Sequence, residues 1–94
     1  MTLMMRIEYD QTKRNTTLRD RGLDMADAGA IFDGPTITIE DERREYGETR
    51  YISVGFLVGR MVFVAWTLRG DARRIISLRK ANTREQEIYA SRFR

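Results

Sequence analysis

Residues 50–79 read RYISVGFLVGRMVFVAWTLRGDARRIISLR, and this stretch decides the fold. Three runs, 50–56, 60–67 and 73–79, are dominated by β-branched, aromatic and other apolar residues, the composition of a pleated, half-buried surface. Gly59 sits in the first connection, and Arg69-Gly70-Asp71 makes the second. Connections this short predict an antiparallel meander, because parallel neighbours require a long crossover. The middle run is the most apolar, which predicts the central strand.

Upstream, residues 36–40 alternate Thr-Ile-Thr-Ile, predicting another strand with Ile37 and Ile39 inward. The charged connection over residues 41–48, with Glu40, Asp41, Glu42, Arg43, Arg44 and Glu45, reads as a solvated loop. Further back, residues 6–9 form a first strand with Ile7 and Tyr9 on one side. Asp10 caps a mostly polar helix over 11–21 that Gly22 ends. Asp24 caps a second helix, on which Met25, Ala28, Ile31 and Phe32 share a face before Asp33-Gly34-Pro35 stops it. Downstream, Thr83 with Gln86 has the spacing of a capping box, and Ile88, Tyr89 and Phe93 give the last helix a narrow apolar stripe.

The order is β-α-α-β-β-β-β-α. It predicts a single α+β domain over residues 1–94, an antiparallel sheet of four to five strands with an N-terminal helical hairpin and a C-terminal helix.

Composition narrows the chemistry. Hydrophobic residues make up 41% and charged residues 33%, a globular profile rather than a disordered one. There is no cysteine and no histidine, which removes disulfides, thiol nucleophiles, imidazole acid–base catalysis and ordinary zinc centres. Composition leaves carboxylate-only Mg²⁺ or Ca²⁺ binding open, but no aspartate-rich calcium-loop spacing occurs, and no metal or cofactor is expected. No phosphate-loop, dinucleotide-binding or nucleophile-elbow motif occurs either. The longest apolar run is far shorter than the roughly 20 residues of a membrane span, and residues 1–10 lack the pattern of a secretory signal. The expectation is a cytoplasmic protein with no membrane role.

Seventeen basic residues face fourteen acidic ones, and fifteen of the seventeen are arginine. Arginine offers a planar fork that matches phosphate, so nucleic acid is one expected partner class. Strict alternation along the last strand sets Arg73, Ile75, Ser77 and Arg79 on one face, and Arg74, Ile76, Leu78 and Lys80 on the other. Glu48, Arg50, Ile52 and Val54 share a face of their own strand, and Glu85 and Tyr89 share one of the final helix. Two readings fit these charges: a site where carboxylate and guanidinium groups converge, or surface ion pairs such as Arg79 with Glu85 and Arg50 with Glu48, worth about 0–1 kcal/mol each. Trp66 and Tyr51 read as core residues or as base-stacking platforms.

Several stretches, in order, carry a resemblance: Ile7-Glu8-Tyr9-Asp10 with Lys13, Arg21-Gly22-Leu23-Asp24, 28–33, Gly47-Glu48-Thr49-Arg50-Tyr51, and above all 74–81 followed by Glu85 and Tyr89. The chain resembles the BrnT family, ribonuclease toxins of type II toxin–antitoxin systems similar in fold to the RelE toxins. Met1 to Met4 precede the family's start. The sequence departs from the family at Gln11, Thr17 and Arg21; Arg21 stands where many members have histidine, so a proton-donor role there is not carried over.

The resemblance implies metal-independent RNA cleavage that inhibits translation and growth. In that light our reading assigns Arg50, Arg74 and Arg79 to phosphate binding and charge stabilisation, Glu48 to the base, Lys13 to an additional cation or acid, and Tyr89 to stacking or proton transfer. Arg69, Arg73 and Lys80 would add RNA contacts. The resemblance also implies a BrnA-like ribbon-helix-helix antitoxin, in a complex of two toxins and two antitoxins in which only the antitoxin touches DNA. An inactive homologue serving as the antitoxin's regulatory partner, or a module that binds RNA or ribosome without cutting, are the alternatives.

Overall fold

The computed structural model describes residues 5–93; Met1 to Met4 lie outside the described residues. Five strands, β1 (Arg6–Tyr9), β2 (Ile37–Glu40), β3 (Arg50–Leu57), β4 (Arg60–Arg69) and β5 (Ala72–Lys80), form one sheet in the order β1-β5-β4-β3-β2. The meander β3-β4-β5 and the antiparallel partner β2 follow the sequence reading.

The first strand departs from it, because β1 runs parallel to β5, from Arg6 opposite Ala72 to Tyr9 opposite Ile75. Local pattern does not say which edge the first strand joins. A long-range pair ties it here: Arg6 donates to Asp71 Oδ1 at 2.7 and 3.1 Å, and the Arg6 N–H donates to the Asp71 carbonyl.

The helix α1 (Gln11–Arg21) is built as its sequence predicts. Asp10 accepts the Lys13 N–H at 2.9 Å, and Gly22, at φ 66°, ends the helix in the left-handed region. The second helix is not continuous: a 3₁₀ turn (Met25–Asp27) precedes a short α2 (Gly29–Asp33). Asp24 closes a tight turn on the Ala26 N–H while holding Arg14 through two hydrogen bonds of 2.7 and 2.8 Å, and Gly29 is a poor helix former. The apolar stripe survives, with Met25, Ala28 and Ile31 buried against the sheet.

These residues pack with Leu57, Val62, Val64, Trp66, Ile75 and Leu78 into the main core. Gly55 permits this approach, since a Cβ there would lie 2.7 Å from Ile31 Cγ2. On the opposite face Val54, Met61 and Ala81 form a smaller cluster with Phe56, Phe63, Tyr89 and Phe93. It lies under α3 (Thr83–Ala90) and the 3₁₀ turn Ser91–Phe93.

Asn82, not Thr83, caps α3: its side chain accepts the Glu85 N–H at 2.8 Å while Glu85 accepts the Asn82 N–H at 2.9 Å. Both registers fit the capping-box pattern, and Glu85 wins because it also meets Arg79. Ile39 is also a correction. It is 55% exposed rather than inward, on an edge strand and beyond the minor cluster.

The most consequential irregularity is in β5. Ala65 pairs with Ser77 but Trp66 pairs with Ile75, so Ile76 is an extra residue opposite no partner. This β-bulge resets the alternation, and Ile75 and Leu78 both enter the main core.

Candidate active site

Because of the bulge, Arg74 shares a face with Ser77 and Arg79 rather than opposing them. The ladder makes a row across the sheet: Glu8 on β1, Arg74 on β5, Thr67 on β4 and Arg50 on β3. With neighbouring strands ~4.8 Å apart, the backbones of Arg50 and Arg74 are about 10 Å apart, one on each side of Thr67. The next row on this face is Ser77, Ala65 and Ile52, and the row after it is Arg79, Phe63 and Val54. Ser77 and Ala65 are small, so a shallow floor lies between two arginine-bearing rows.

Each guanidinium is held differently. Arg50 donates from Nε to Glu48 Oε2 at 3.0 Å, and its Cζ lies 4.1 Å from the centre of the Tyr46 ring. Glu48 also lies 3.7 Å from Arg69 Nη2. Arg74 has one ionic neighbour, Glu8 at 3.8 Å, and among the described residues makes no side-chain hydrogen bond. Its donors are therefore available to a ligand.

Arg79 is the most committed. Its two terminal nitrogens each donate to Glu85 at 2.8 Å, and its Cζ lies 4.5 Å from the Phe63 ring centre. Those hydrogen bonds hold the Glu85 carboxyl down at about 2 and raise the Arg79 guanidinium. Tyr89 packs against Phe63 in the minor cluster, the ring centres 5.6 Å apart and the planes nearly perpendicular.

Residues 9–85 match the family model of BrnT, the ribonuclease toxin of type II toxin–antitoxin systems. The chain belongs to the BrnT family. Comparison with curated proteins gives no match. BrnT membership brings an RNA substrate and an antitoxin partner with it. Lys13, Glu48, Arg50, Arg74, Arg79 and Glu85 all fall within the matched span, and Tyr89 lies beyond it.

The other residues expected at the BrnT site are more scattered. Lys13 is at the sheet edge, its Nζ 3.5 Å from the Ile76 carbonyl oxygen. Together with Thr12, Thr16, Arg21 and Ser77 it lines a cleft of about 320 Å³ between α1 and β5. Arg21 donates to the Leu78 carbonyl at 2.9 Å and fastens α1 to the strand edge.

Arg69 remains near Glu48 at the rim. Arg73 and Lys80 are on the face that carries the main core: Arg73 lies 3.9 Å over Phe32 and 5.0 Å from Trp66, where burial lowers its pKa, and Lys80 approaches Gly22. Trp66 is a core residue, stacked 4.8 Å from Tyr51 and donating to Ser53 Oγ at 2.8 Å.

The charged run after β2 is more than a solvated connection. Asp41 is buried; it accepts from Arg43 at 2.7 and 2.8 Å and from the Tyr46 hydroxyl at 3.1 Å. The Arg43 guanidinium holds its carboxyl far below the usual carboxylate range. The signal available in the sequence was a lone aromatic, Tyr46, inside a run of charges. Among the described residues no group of three or more carboxylates is placed to hold a metal ion, and no helix is long and apolar enough to cross a membrane.

Proposed function

We propose that this chain is a metal-independent endoribonuclease toxin whose active site is the arginine-bearing face of the sheet. The observation that carries the reading is the bulge at Ile76, which puts Arg74 on the same face as Arg50 and Arg79, with Glu48 paired to Arg50.

Cleavage without a metal needs a base for the ribose 2′-hydroxyl, cations for the phosphorane, and an acid for the departing 5′-oxygen. Glu48 takes the 2′-hydroxyl proton as that oxygen attacks the adjacent phosphorus. Arg50 and Arg74, on either side of Thr67, bind the non-bridging oxygens and stabilise the charge that develops there. Arg79 lies about 13 Å along the strands from that row, and so meets a neighbouring phosphate. Lys13, at the edge beside Ser77, adds a cation for the RNA backbone, and the departing 5′-oxygen takes its proton from solvent. The products are a 2′,3′-cyclic phosphate and a 5′-hydroxyl. Glu85 does not serve as base, being committed to Arg79 with its carboxyl at about 2. Tyr89, packed on Phe63, positions the Arg79 end of the face. Arg69 adds a phosphate contact at the rim, whereas Arg73 and Lys80, on the other face, have no role in this reading.

The partner is a BrnA-like ribbon-helix-helix antitoxin that covers this face with an acidic or amphipathic segment in a complex of two toxins and two antitoxins. DNA contact belongs to the antitoxin.

Induction of the chain in a bacterial host, with and without the adjacent small reading frame, tests the reading. Growth arrest with loss of RNA integrity, relieved by the neighbour, is expected. Normal growth and intact RNA in cells that hold soluble, folded protein would leave the inactive regulator or the non-cleaving RNA module instead.

A further inference from the structure

The geometry points to Tyr46 as a positioning residue that aims Arg50 at the scissile phosphate, with Asp41 as its anchor; this rests on the role proposed above for Arg50. Three contacts in series carry it. Asp41 is buried and fixed by a two-pronged pair with Arg43 and by the Arg43 N–H at 3.2 Å. The Tyr46 hydroxyl donates to the same carboxylate at 3.1 Å, which sets the orientation of the ring. The ring face lies 4.1 Å from Arg50 Cζ, within the range at which a guanidinium is attracted to an aromatic face.

Arg50 thus has two constraints. Glu48 takes Nε at 3.0 Å, and the Tyr46 ring face lies 4.1 Å from Cζ. Neither occupies the two terminal nitrogens, for which the described residues supply no hydrogen-bond partner. A long, rotamer-rich side chain held at two points with its outer edge free loses less entropy when it binds a phosphate. A glutamate pair alone would fix one nitrogen and leave the plane able to swing about it. Tyr46 removes that freedom without consuming a donor. Gly47, at φ 73°, turns the chain between the platform and Glu48.

The test is a double-mutant cycle on cleavage of a short RNA by the purified full chain. Y46L removes the platform and is expected to lower kcat/KM about tenfold, mainly through kcat. Y46F keeps the ring face but loses the hydrogen bond to Asp41, and is expected to fall about threefold below the parent, between it and Y46L. In an R50A background Y46L brings no further loss, because Tyr46 acts through the missing guanidinium. Y46Q serves as a second variant if Y46L folds poorly, and thermal melting reports folding for each. Equal losses from Y46L with and without Arg50, or activity of folded Y46L and Y46Q within twofold of the parent, would overturn the inference. An R50A protein as active as the parent would instead overturn the role of Arg50 itself and take the platform with it.

Discussion

Replacing Arg74 with alanine separates catalysis from stability more cleanly than any other change on the arginine face. Its side chain is 30% exposed, and its one ionic neighbour, Glu8, lies at 3.8 Å, beyond hydrogen-bonding distance. A pair of this kind contributes about 0–1 kcal/mol, which in a domain of this size moves the melting temperature by at most about 4–8 °C. The expected catalytic loss is far larger. Removing a preorganised donor from a site of developing charge typically costs about 10²–10³ in kcat, or ~2.7–4 kcal/mol. R74K keeps the charge but not the planar fork, and should recover part of the loss. Single-turnover cleavage of a labelled RNA, alongside melting by circular dichroism, reads both quantities. A folded R74A protein within threefold of the parent rate would refute the assignment. A collapse in melting temperature would make Arg74 a structural residue instead.

Arg79 is a different case, since it joins β5 to α3 through Glu85. The Glu85 carboxyl is lowered from 4.5 to about 2, so its contribution is complete above pH 4.5 and is lost as pH falls toward 2. E85Q should therefore melt below the parent at neutral pH, with the gap closing across that window in a pH series of melts. Ser53 is fully buried, accepts from Trp66 Nε1 at 2.8 Å and shares a hydrogen bond with Thr38 at 2.7 Å. S53A leaves the indole N–H unpaired and should cost about 1–3 kcal/mol in urea unfolding. G55A drives a methyl group to 2.7 Å from Ile31 Cγ2 and 3.1 Å from Thr36 Cγ2, an overpacking expected to cost about 1–3 kcal/mol by the same measurement.

Elements with a local signal were legible in the sequence. Asp10 and Gly22 bound α1 as read, because both caps act within a turn of the residues they serve. The meander was legible from its short connections. What the sequence concealed depends on distant partners. The parallel pairing of β1 rests on β5, far along the chain, and on Ile7 and Tyr9 packing against the main core. The cap of α3 was decided between two equivalent registers by Arg79, a residue of the preceding strand.

The candidate site shows the same division. Arg50, Arg74, Arg79 and Glu48 were named, but strict alternation set Arg74 against Arg79. A one-residue bulge with no glycine to announce it reversed that assignment and left Arg73 on the core face. Asp41 and Tyr46 went unread because a charged run has the composition of a solvated loop whether or not one carboxylate within it is buried.

The most direct test is to incubate the purified chain with a short RNA in the presence of EDTA and to analyse the new ends. The account predicts cleavage that persists without divalent metal, leaves 2′,3′-cyclic phosphate and 5′-hydroxyl ends, and stops when the 2′-hydroxyl at the cut site is replaced by hydrogen. Abolition of cleavage by EDTA, or equal cleavage of the 2′-deoxy substrate, would contradict it.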